Sequence, residues 1–250
     1  MRGEARGRCV RGALFVTLAA LASSGCFSEI LVPPPTTVLE FTCHVLDQTV
    51  SETVVLESWG SGPGSREAVE ALRSELVRVT GRFSASMTVS SRDAANPPGS
   101  AWEPEEVPEW ARERTFSDGN AVVFRILWVD SLGGNMTGAS GAGTVAVAAD
   151  AVAGVAARLN VTVGDAARVL LFHHAGHALG VVNRGIPVQD PTIQEREGPP
   201  GHEPDPASVL DGGWEDVRTA DWAPGATYEG YSDGVRGDWA GAVAPGGVCT

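Results

Sequence analysis

The sequence contains no lysine. All 18 of its basic residues are arginine, set against 31 aspartates and glutamates, so the formal charge is −13. Without a basic surplus there is no electrostatic footprint for a phosphate backbone, and nucleic acid is excluded as a partner. The acidic surface serves solubility instead. No apolar run is long enough to cross a bilayer as a helix; the longest candidate, Gly12 to Ala22, is far short of the roughly 20 residues a span requires. Internal repeats are absent, which excludes a repeat architecture. Cysteine and histidine are also sparse, with four and five residues.

What is present begins with an N-terminal targeting segment. Arg2, Arg6, Arg8 and Arg11 precede the apolar stretch from Gly12 to Ala22, the charge-then-apolar order of a signal peptide over residues 1–25. Ser23-Ser24-Gly25-Cys26 follows and resembles a bacterial lipoprotein cleavage site, with Ser23 in place of the usual aliphatic residue. That resemblance implies lipidation of Cys26 and an exported, membrane-anchored protein whose membrane contact runs only through the lipid. The alternative is ordinary cleavage nearby, with a secreted product and Cys26 left as a thiol. Residues 26–38, with Pro33-Pro34-Pro35, read as an extended tether. If Cys26 carries lipid, Cys43 and Cys249 remain as an even pair in an oxidising compartment, either as a disulfide or as two thiols.

The length suits one main domain with a core of its own, here residues 39–212, followed by an irregular C-terminal subdomain over 213–250. Phe41 to Leu46 and Thr53 to Leu56 are the first strand candidates. After a Gly/Ser/Pro turn at residues 60–64, Ser65 caps a helix to Thr80, with Val69, Leu72, Leu76 and Val79 at helical spacing and Gly81 as its stop. Phe83 to Ser90 is a further strand. Residues 92–118, interrupted by prolines, read as a surface excursion. Ala121 to Val129 is almost continuously apolar and is expected to be a central strand. Gly133 to Gly143 reads as a flexible loop, and Thr144 to Ala149 as a short strand. Thr162 and Asp165 form a capping box for a helix that Asn183-Arg184-Gly185 closes. The fold class is therefore α+β, and the tail aromatics, including Tyr231 and Trp239, pack the C-terminal subdomain.

Three of the five histidines fall on that last helix, at His173, His174 and His177. His173 and His177 are one turn apart on one face, a spacing that lets two imidazoles reach a single metal ion. Apolar Val169, Leu170, Phe172, Leu179 and Val181 surround them, so the helix is expected to be buried. The competing reading is a pair of core histidines bonded to backbone.

At these residues the chain resembles the metzincin zinc peptidases, whose helix carries His-Glu-x-x-His-x-x-Gly-x-x-His. His173, His177 and Gly180 match; His174 stands in place of the glutamate and Asn183 in place of the third histidine. Val182-Asn183-Arg184-Gly185-Ile186-Pro187 is similar to a bacterial matrixin-like subgroup in which the helix ends in Val-Asn-Asn-Gly-x-Pro and a later histidine precedes a methionine-containing turn. His202 is the residue that corresponds, eight positions before Leu210, where the methionine would fall. The resemblance covers roughly residues 120–215. It implies a twisted, mostly parallel sheet with two main helices, the second bearing the zinc histidines. The strand just before that helix would form the edge that holds an extended polypeptide.

The ligands implied for one zinc ion are His173, His177 and His202, with Asn183 as a poorer third donor. The reaction implied is peptide-bond hydrolysis by zinc-activated water, in a monomer. General acid–base help is worth about 10²–10⁴-fold in such a step, and the glutamate that supplies it is missing. His174 is the candidate base in its place, because an imidazole accepts a proton near neutral pH; Glu195, Glu203 and Asp205 are loop alternatives. Three functions stay open: a zinc-binding homologue with weak or lost hydrolysis, an active endopeptidase with a substitute base, and a non-catalytic surface protein that binds a polypeptide in the old cleft. The competing readings are that His174 is a drifted residue without a role and that His202 is merely exposed.

Overall fold

The computed structural model describes residues 37–92, 101–112, 117–118, 121–181, 186–187, 210 and 230–250. Cys26, the signal segment, Asn183, Glu195, His202, Glu203 and Asp205 lie outside the described residues.

Helix α1 (Val38–Leu46) occupies the first stretch expected to be a strand. The start of the segment is decided by a cap. Thr37 Oγ1 accepts from the Glu40 N–H, and Glu40 Oε2 accepts from the Thr37 N–H, both at 3.1 Å. This reciprocal pair satisfies two of the donors that a helix start leaves open. Phe41 and Val45, one turn apart, are fully buried on the inner face.

Strand β1 (Thr53–Trp59) is followed by α2 (Ser65–Thr80), and Gly64 in the left-handed region (φ 71°) is the N-cap in place of Ser65. Strand β2 (Met87–Arg92) starts four residues later than expected, because Ser84–Ser86 forms a 3₁₀ turn. Arg73 pins that turn by donating from Nε to the Met87 carbonyl (2.7 Å) and from Nη2 to the Ser84 carbonyl (2.8 Å).

The described parts of the stretch expected to be a surface excursion carry regular structure. They hold β3 (Ala101–Trp102), α3 (Glu106–Arg112) and β4 (Ser117–Asp118). Trp102 and Trp110 are buried, and Trp110 packs edge-on against Trp59 and Trp102, with centroids 5.5 and 6.3 Å away. Three tryptophans thus supply a local core that the scattered prolines and acids concealed.

Strand β5 (Ala121–Val129) is central as expected. It runs parallel to β1 on one side and to β8 (Thr144–Ala148) on the other. A short β6 (Ser131–Leu132) pairs with β3. The Gly/Ser-rich stretch expected to be a loop contains β7 (Gly138–Gly141), antiparallel to β8. The main sheet therefore runs β2-β1-β5-β8-β7, with β4 beside β5, and β7 rather than β8 forms its edge. Parallel strands buried on both faces explain the unbroken apolar run of β5.

Two helices follow β8. α4 (Ala149–Leu159) went unrecognised in an alanine-rich stretch; it ends at Asn160 in the left-handed conformation. α5 (Val163–Ala178) opens on Thr162, whose Oγ1 accepts from the Asp165 N–H at 3.1 Å. It closes at Ala178, five residues before Asn183. Gly180 (φ 68°) turns the chain, and the Val181 and Ile186 N–H groups donate to the carbonyls of Gly176 and Gly180. α2 and α5 pack on one face of the sheet.

In the C-terminal segment, expected to be irregular, α6 (Asp233–Val243) packs against α1 and α2. Tyr231 and Trp239 are buried, and the Tyr231 hydroxyl donates to the Phe172 carbonyl at 2.8 Å. Buried Glu75 accepts from Arg78, from Arg236 Nε (3.2 Å) and from the Tyr231 N–H (3.2 Å). Cys43 of α1 and Cys249 are joined by a disulfide. The fold is α+β around a mostly parallel mixed sheet, and no helix among the described residues is long and apolar enough to cross a membrane.

Candidate active site

The last turn and a half of α5 carries the site. Its start is fixed by the Thr162 cap and its end by Gly180, so the register of the three histidines is set at both ends. Beneath it, Gly176 has no side chain because none would fit. A Cβ there would lie 2.5 Å from Leu210 Cδ2 and 3.3 Å from Tyr231 Cε1. Leu210, the residue expected at the methionine position, is fully buried against this helix.

His173 and His177 are at most 3% exposed, and their Nε2 atoms lie 3.0 Å apart. The rings are almost perpendicular (88°), with centroids 4.6 Å apart. As a protein–protein contact, this is one imidazole donating to the other. As a metal site, the donor chemistry fits equally well. An ion about 2.0–2.1 Å from both nitrogens would subtend about 95°, and a few tenths of an ångström of opening reaches the tetrahedral angle. Two converging neutral imidazoles suit zinc. Among the described residues no three metal-ligating side chains come together, and His202 lies outside them.

His174 points to different company. Its Nε2 is hydrogen-bonded to Thr137 Oγ1 at 2.9 Å, and Thr137 is fully buried at the approach to β7. A Cβ on Gly138 would lie 2.2 Å from His174 Cδ2. The imidazole therefore occupies the space that a side chain on the edge strand would need, and it ties α5 to that strand.

A pocket of about 310 Å³ reaches His177 of the pair and His174; His173 is not in its lining. Gly138, Ala139 and Ser140 of the edge strand form one wall; Pro104, Glu105 and Pro108 from the start of α3 form the other. Glu105 is the carboxylate the sequence reading did not find. The candidates there were Glu195, Glu203 and Asp205, close to the helix in sequence; Glu105 is distant in sequence and arrives with α3. No periodic signal marked it.

Comparison of the chain with family models, with curated proteins and with solved structures finds no match.

Proposed function

We propose that this chain is an exported metzincin-like zinc protein whose cleft holds an extended polypeptide and whose peptide hydrolysis is weak. The observation that carries the reading is the convergence of His173 Nε2 and His177 Nε2 at 3.0 Å, with His177 also lining a pocket that the sheet edge borders. The mostly parallel sheet followed by a buried histidine helix agrees with the architecture the resemblance implies.

His173 and His177 would hold the metal, with His202 as the third donor. When bound, zinc supplies a Lewis acid for the scissile carbonyl and for water. The chain's own residues define the rest. β7 is the end strand of the sheet among the described residues, and an extended segment would add to it as a further strand. Pro104 and Pro108 shape the opposite wall. His174 fills the position of the proton-accepting glutamate, but its Nε2 is engaged by the Thr137 hydroxyl. That bond makes His174 a clamp between helix and strand, and the loss of the glutamate removes a factor of about 10²–10⁴ in rate.

One observation favours a second reading, an active endopeptidase. Glu105 lines the same pocket as His174 and His177 and is exposed, as a substitute base would be. A peptidase assay with zinc-loaded protein and a chelator control tests both readings. Under the first, wild type is nearly inactive and His174→Glu raises the rate. Under the second, wild type cleaves, Glu105→Gln abolishes cleavage, and His174→Glu adds nothing.

A further inference from the structure

Tyr231, just before α6 in the C-terminal segment, reaches the helix that carries the histidine pair. Its hydroxyl donates to the Phe172 carbonyl at 2.8 Å, and its ring stacks on Phe172 with centroids 5.3 Å apart and planes inclined by 30°. That carbonyl belongs to the peptide unit shared with His173, so the bond holds the backbone from which the first imidazole of the pair springs. Gly176, one turn further on, admits the same ring: a Cβ there would lie 3.3 Å from Tyr231 Cε1.

The positions of these contacts around α5 give them their meaning. Residues advance by about 100° along an α-helix. Phe172 and Gly176 share one flank. His174 lies about 200° round from Phe172, on the opposite flank, where its Nε2 meets Thr137 Oγ1 at 2.9 Å. His173 and His177 fall between the two flanks, about 100° from each. Rolling of α5 about its axis, the motion that swings both imidazoles together, is therefore resisted on either side. His174 supplies the stop at the edge strand, and Tyr231 the stop at the C-terminal segment.

Packing alone does not call for a hydroxyl at position 231. In a regular helix the Phe172 carbonyl already accepts from the Gly176 N–H, so it needs no second donor. Phenylalanine would fill the same space and stack as well without burying a polar group. Tyr231 is 1% exposed, and burial, with Glu75 behind it, pushes its hydroxyl well above the ordinary range of a phenol, which keeps it a donor. The residue is itself anchored. Its N–H donates to Glu75 Oε1 at 3.2 Å, and its ring meets Trp239 edge-on with centroids 4.8 Å apart.

We propose that Tyr231 is a positioning residue for the histidine pair, its hydroxyl setting the rotation of the turn at which His173 and His177 converge. This role rests on the reading of that pair as a metal site, and it adds to the site a residue from the far end of the chain. Tyr231 touches neither imidazole of the pair; it acts through the backbone of α5.

The test compares the full wild-type chain with Tyr231→Phe, which keeps the ring, and with Thr162→Ala, which removes a hydrogen bond from the far end of the same helix. Zinc affinity, read by competition with a chromophoric chelator, is expected to fall about three- to tenfold in Tyr231→Phe, what one hydrogen bond is usually worth. It should stay unchanged in Thr162→Ala, although that variant melts at a lower temperature. A second readout needs no metal. In the zinc-free chain, the imidazole nitrogen resonances of His173 and His177 should move in Tyr231→Phe and hold still in Thr162→Ala. If wild type takes up no zinc, the reading of the pair as a metal site fails, and these resonances alone decide whether Tyr231 sets its geometry. Tyr231→Phe that matches wild type in the resonances, or in affinity where wild type binds zinc, overturns the role; so does Thr162→Ala that disturbs either as much.

Discussion

Gly138 on the edge strand and His174 on α5 are built around each other. A Cβ at Gly138 would sit 2.2 Å from His174 Cδ2 and 2.5 Å from its Nε2. The residue that replaces the expected glutamate is thus matched to the absence of a side chain on the facing strand. Gly138→Ala should destabilise the protein by about 1–3 kcal/mol, the usual range for overpacking. In a His174→Ala background the same change should cost measurably less. Some penalty remains, since that Cβ also meets the Ala146 carbonyl at 2.5 Å. Urea unfolding of the four proteins in the cycle gives the coupling energy; a coupling of zero would show that the two residues do not constrain each other.

Restoring the glutamate should restore chemistry. His174→Glu is expected to raise zinc-dependent peptide cleavage by about 10²–10⁴-fold over wild type, the range that general acid–base help supplies. Single-turnover rates on an extended fluorogenic peptide, with and without chelator, measure it. A variant no faster than wild type would mean that another group, with Glu105 first in line, already serves as the base.

The disulfide between Cys43 and Cys249 closes a span of 206 residues and holds the C-terminal segment against α1. Cys249→Ser should lower stability by about 2–5 kcal/mol, chiefly by freeing the unfolded chain. Because Trp239 is packed into the same core, its fluorescence should report the loss. Equal urea midpoints for variant and wild type would contradict this.

Glu57 and Arg125 form a buried pair at 3.2 Å, and Arg92 adds a bond from the surface. Burial pushes the Glu57 carboxyl up, but bonds from Trp59 and Arg92 and the charges of Arg125 and Arg92 outweigh it, so the net shift is downward. A carboxylate whose folded value is depressed contributes stability that is present above its unfolded value and lost as pH falls through the folded one. Glu57→Gln should therefore cost about 3 kcal/mol at neutral pH, because it removes one charge of a buried ion pair. The gap between variant and wild type should close in acid, below the ordinary carboxylate range. A gap that stays constant down to that range would refute the assignment.

Where the chain's own periodicity decides the structure, the sequence was legible. β5 is unbrokenly apolar because it is covered on both faces, and α2 shows its stripe from Val69 to Val79. The His173–His177 convergence follows from helical spacing alone. α1 was misread because Phe41-Thr42-Cys43 looks like strand, whereas the Thr37–Glu40 cap decides the matter in the folded chain. β7 was hidden because Gly138 and Gly141 carry no hydrophobic signal; its place is set by pairing with β8 and by the room His174 needs. α3 and Glu105 depended on three tryptophans, at 59, 102 and 110, meeting across the sequence, and no local pattern encodes such a meeting.

The central claim is that two imidazoles one helical turn apart share a metal. Its most direct test is elemental analysis of the purified full chain, after dialysis against trace zinc, alongside His177→Ala. The account predicts about one zinc per chain in wild type, removed by chelator together with a fall in Tm, and none in the variant. Wild-type protein that emerges free of zinc, or a variant that retains it, would contradict the account.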